Sequence, residues 1–72
     1  PSMGMFRVYN NSRMSATELS ILDARGETIY STPNPGTVHE IDGRAWRQGV
    51  YFLHLRFPDG SRYAEPVLIV RP

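Results

Sequence analysis

From Gly49 to Phe57 (GVYFLHLRF) side chains alternate: Tyr51, Leu53, Leu55 and Phe57 share one face, and Val50, Phe52, His54 and Arg56 share the other. A period of two belongs to a β-strand, and the first set is the face to bury against a second layer. Nowhere does the chain hold an i, i+3, i+4, i+7 pattern for three turns, so an all-β fold is expected. Pro58-Asp59-Gly60 ends the run with a turn, proline presetting φ near −65° and Gly60 suiting a left-handed position.

The same spacing recurs on both sides. Met5 to Tyr9 (MFRVY) puts Phe6 and Val8 on one face, and the Asn- and Ser-rich NNSRMS after it is a loop. Glu18 to Asp23 alternates with Leu19 and Ile21 together, and Glu27 to Ser31 resumes after Asp23-Ala24-Arg25-Gly26, whose end residues suit a hairpin turn. STPNPG cannot be a central strand, because its two prolines lack backbone donors; it reads as a connection between two sheets. Val38 to Asp42 is a short strand, and Arg62 to Arg71 returns as a last one, with Pro66 arguing for an edge or a bulge. Strand candidates at this spacing suggest a small sandwich or barrel.

Length sets the scale of the core. With 72 residues there is one domain, and folding buries only roughly 60% of the unfolded surface at this size. Cysteine is absent, so neither a disulfide nor a thiolate metal site stiffens it. Residues 5–72 read as that domain, and Pro1 to Gly4 as a linker end or a cloning remnant. The opening PSMGM lacks the basic-then-apolar pattern of a secretory leader, so the chain reads as a piece of a longer protein.

Charge and motifs exclude more than they assign. The net charge is +1, and all eight basic residues are arginines spread from Arg7 to Arg71 without a stripe, so no nucleic-acid partner is expected. No apolar run approaches the roughly 20 residues of a membrane helix, so no membrane span is expected. His39, Glu40 and Asp42 are close in sequence, but alternation turns His39 away from both carboxylates, so no metal site is expected. The serines lack a triad context and the glycines are isolated at turns, which leaves no catalytic residue and no cofactor motif. Asn10-Asn11-Ser12 fits a glycosylation triplet but reads first as a polar loop. Trp46, near Tyr51 and Phe52, is either a plug at the end of the sandwich or part of a sugar-binding platform.

The order of segments is more specific than any one of them. LSILDARGETIYS, then HEIDGRAWRQGVYFLHL, then PDGSRYAEPVLIVRP resembles the C-terminal sorting domain of type IX secretion, type A-like. The carriers are Asp23 and Gly26 of a D-x-x-G turn, Ile41 and Asp42, Gly49-Val50-Tyr51-Phe52, and a last strand over Val67, Leu68, Ile69, Val70 and Arg71. Trp46 stands where the family usually has leucine, and Pro66 near where a lysine often precedes the last strand.

The resemblance implies a small immunoglobulin-like antiparallel β-sandwich of about six to seven strands. It also implies a non-catalytic signal that carries a covalently linked N-terminal cargo across the outer membrane, its partners being the type IX translocon and a sortase that cuts upstream. The cargo passes through the periplasm and ends at the outer membrane, on the cell surface or outside. Asp23, Gly26, Ile41, Asp42 and Gly49 to Phe52 are then expected as scaffold, and Val67 to Arg71 as the part read by the translocon. A free sheet edge could also support self-association. The alternative is an immunoglobulin- or fibronectin-like binding or spacer module, carbohydrate-binding if Trp46 is exposed, on an extracellular enzyme.

Overall fold

The computed structural model describes residues 4–70, in which six strands and no helix form two antiparallel sheets. The strands are β1 (Met5–Tyr9), β2 (Glu18–Leu22), β3 (Thr28–Pro33), β4 (Val38–Asp42), β5 (Gly49–Arg56) and β6 (Arg62–Ile69). The larger sheet runs β3-β2-β5-β6, and the smaller is the pair β1-β4. This is the all-β architecture that the alternation implies, with two layers compatible with a small β-sandwich.

The core lies where the inward sets meet. Leu19 and Ile21 of β2, Tyr51, Leu53 and Leu55 of β5 and Ile69 of β6 face Val8 of β1 and Ile41 of β4. Leu19, Ile21, Ile41 and Ile69 are essentially sealed from solvent, and burying a side chain of this kind contributes about 1.5–3 kcal/mol. Phe57 packs against the same cluster, as the alternation predicts. A polar tie joins the layers: the Tyr30 hydroxyl of β3 lies 2.7 Å from His39 Nε2 of β4. It places β4 over the β3 side of the larger sheet.

Both predicted turns close with an i to i+3 bond. Gly26 N–H donates to the Asp23 carbonyl at 2.9 Å, and Gly60 N–H to the Phe57 carbonyl at 3.0 Å. Each glycine has φ of +88°, a conformation that a Cβ disfavours.

Element boundaries differ from the sequence expectation in four strands, β5 among them, which ends at Arg56 and leaves Phe57 just past it. β2 stops at Leu22, because Asp23 is used by the turn, and the ladder with β3 is irregular between Ile21 and Leu22. β3 starts at Thr28 and runs on through Pro33, into the stretch expected to be connection only. β6 ends at Ile69, so Val70 follows the strand, and Arg71 lies outside the described residues.

Proline positions explain why β3 and β6 can hold them. Asn34 N–H donates to the Thr17 carbonyl, so alternation aims the Pro33 nitrogen away from β2. Phe57 N–H donates to the Ser61 carbonyl, and the same alternation aims the Pro66 nitrogen away from β5. Both strands are edges, so neither missing N–H breaks a ladder bond, and each removes a donor from an exposed rim.

Candidate recognition surface

The last strand divides by parity. Ile69 is fully buried and Val67 half-buried, both facing the core, while Leu68 is 44% exposed on the opposite face. Val70, just past the strand, is half-buried. The expected recognition segment is therefore half anchor and half surface.

Gly49-Val50-Tyr51-Phe52 divides the same way. Tyr51 is buried, and its hydroxyl donates to the Arg47 carbonyl at 2.7 Å. Val50 and Phe52 point outward, 44% and 37% exposed, and Gly49 stands opposite Ile69. Registers then gather an apolar strip on the outer face: Val50 opposite Leu68, Phe52 opposite Pro66, and Leu22 of β2 opposite Phe52. Side chains of directly opposed residues share a face and touch. At the other end the outer face is polar, with Arg56 3.7 Å from Glu18 and Arg62 beside it in register.

The remaining motif residues hold turns and core. Asp23 Oδ1 accepts from the backbone N–H of Arg25 and of Glu27, each at 2.9 Å, and these bonds, the Glu27 one foremost, hold its pKa below the usual carboxylate value. Ile41 is buried. Asp42 meets the Arg44 guanidinium at 2.9 and 3.0 Å and its backbone N–H at 3.1 Å, which lowers its pKa from 3.8 to about 2, the side-chain bonds contributing most. Gly43, next in line, lies so close to the Trp46 ring that a Cβ would fall 2.6 Å from it.

Trp46 is half-buried between Phe6, with ring centroids 6.3 Å apart, and Tyr51, at 5.3 Å. Trp46 packs against the core cluster through these contacts, as a plug at the end of the sandwich would. Asn10 is 8% exposed; its side-chain amide donates to the Met14 carbonyl and its oxygen accepts from Ser12 N–H, both at 3.0 Å. Its amide is thus part of the loop. His39 and Glu40 face apart, His39 toward Tyr30 and Glu40 toward Arg7 at 3.3 Å. Among the described residues no group of three or more His, Asp and Glu is placed to hold a metal ion, and no helix is long and apolar enough to cross a membrane.

The fold and the order of its motifs define a small all-β domain of two antiparallel sheets. The chain belongs to the secretion system C-terminal sorting domain family, whose model matches residues 1–69. Neither the curated proteins nor the solved structures offer a match. Membership makes the chain a type IX secretion signal, a non-catalytic class, which acts with the type IX machinery on an N-terminal cargo. Its destination is the outer membrane, the cell surface or the extracellular space.

Proposed function

We propose that the domain is read by the type IX translocon through the β6 end of its larger sheet. The observation that carries this is Leu68, held out on an edge strand whose neighbours Val67 and Ile69 anchor it in the core. With Val50, Phe52 and Pro66 it offers an apolar face that a partner can cover, and Val70 and Arg71, next in sequence, belong to the proposed segment. Alternation directs the Leu68 N–H and C=O to the rim, where a partner strand can pair with them. Pro66 leaves a gap in the donors, so pairing is favoured toward the terminal end.

Asp23, Gly26, Ile41, Asp42, Gly49 and Tyr51 serve as scaffold in this reading. Once the cargo has crossed, a sortase cuts upstream of the domain and the cargo is attached to an anionic lipopolysaccharide at the surface or released. A reporter fused ahead of this chain in a type IX-competent host tests it: the reporter should reach the surface or the medium. Leu68→Asp, which leaves the buried Ile69 in place, should leave it in the periplasm, and retention of the intact fusion at the level of unfused reporter would refute the reading.

A further inference from the structure

The two-stranded layer is too narrow for the sheet it covers. Strands in a sheet lie about 4.8 Å apart, so a pair spans one interval where four strands span three. His39 places β4 over β3, and on the far side of β1 an open cleft of about 620 Å³ runs over β5 and β6. Its floor is Leu53, Leu55, Phe57, Tyr63 and Val67, with Glu65 among them. Tyr63 remains 48% exposed although it lies on the inward face, opposite Leu55.

The wall of that cleft is a sheet edge. Gly43 N–H donates to the Gly4 carbonyl at 2.6 Å and Asn10 N–H to the Thr37 carbonyl at 2.9 Å. Phe6 and Val8 therefore bond to β4, and Arg7 and Tyr9 turn their backbone N–H and C=O groups away from it, into the cleft. The outer edges of the larger sheet are interrupted by Pro33 and Pro66; this edge has no proline. It is the one that combines outward donors and acceptors with an apolar floor one strand wide.

We propose that this cleft binds an extended segment of another polypeptide, which pairs with β1 as a third strand of the smaller sheet and covers β6. Its inward side chains are apolar, with one basic residue over Glu65. That glutamate is the only carboxylate lining the cleft and has no ion pair among the described residues, whereas Arg7, on the outer face, is engaged by Glu40. A folded second copy does not fit through its own β1, because its four-stranded sheet would have to occupy the space that β5 and β6 fill. The Gly4 carbonyl is taken by Gly43 N–H on the β4 side, while the cleft opens along Phe6 to Met14 on the other side of β1. This extends the proposed function with a second docking surface and does not depend on the β6 end being read.

A probe is an eight-residue peptide alternating valine and threonine, with arginine at one inward position, titrated into the 72-residue chain. Amide exchange of Arg7 and Tyr9 should slow on binding, and N-methylating the peptide along its β1-facing edge should abolish that protection. Glu65→Arg should weaken the arginine peptide about tenfold and favour its glutamate counterpart, the scale of one charge-assisted hydrogen bond. The glutamate lies on an open surface, so the variant keeps its fold, checked by the unchanged amide spectrum of β2. No slowing at Arg7 and Tyr9 with millimolar peptide would overturn the proposal. So would protection of those two amides by the chain's own upstream segment in the full-length parent, or peptide-induced shifts confined to Phe52 and Leu68.

Discussion

Val50 and Leu68 stand directly opposite each other across β5 and β6, both pointing away from the core and both 44% exposed. One belongs to the central motif and the other to the last strand, so the two segments meet on a single surface. Burying such a pair under a partner contributes to binding without weakening the free domain, since neither holds the core.

Leu68→Asp should therefore separate export from stability. Exposed substitutions away from core contacts change stability by about 0.5 kcal/mol or less, so the thermal midpoint of the isolated domain should barely move. Thermal unfolding of the purified variant checks this, and a fall of the size seen for core truncations would make Leu68 structural.

Ile69→Ala, one position on, should behave oppositely. Its side chain is fully buried, and truncating a buried isoleucine costs about 2–5 kcal/mol, a large share of what a domain this small has. Denaturant titration gives the number directly.

Gly26→Ala isolates backbone strain. Nothing lies within 4 Å of where the Cβ would go, but φ is +88°, so the cost should be about 1–2 kcal/mol and come from conformation alone. Gly43→Ala differs in kind, because its Cβ would meet the Trp46 ring, and near-ultraviolet dichroism should report a displaced indole.

Acid should loosen the link after β4. Asp42 has its pKa lowered from 3.8 to about 2 by Arg44, so the contribution of this contact is complete above the ordinary carboxylate value and is lost as pH falls from about 4 toward 2. A carbon-detected titration of Asp42 should show the low midpoint, and Arg44→Ala should raise it part of the way toward the ordinary range, because the backbone N–H of residue 44 still donates to Asp42.

Much of this was legible in the alternation of single strands. Tyr51, Leu53, Leu55 and Phe57, with Leu19 and Ile21, read directly as the buried set, and the turns at Asp23 to Gly26 and Pro58 to Gly60 followed from residue chemistry. Pro66 signalled an edge for the reason found, a nitrogen aimed away from its neighbour. Pairing between distant segments was not legible, because alternation fixes which face a residue takes and not which strand lies beside it. The opposition of Val50 and Leu68, and the narrow β1-β4 layer that leaves Tyr63 uncovered, both depend on that register. The outward parity of Val50 and Phe52 is visible, but their exposure depends on no layer covering that face. Trp46 has two readings in sequence, and its packing against Phe6 and Tyr51 is that of the plug.

The most direct test is surface export of a reporter fused ahead of the domain, compared between the native sequence and the Val50→Asp, Leu68→Asp double variant, with both domains shown to be folded by amide spectra. Export of the native fusion and periplasmic accumulation of the folded double variant is the expected result. Equal export of both would contradict the assignment of this surface as the part the translocon reads.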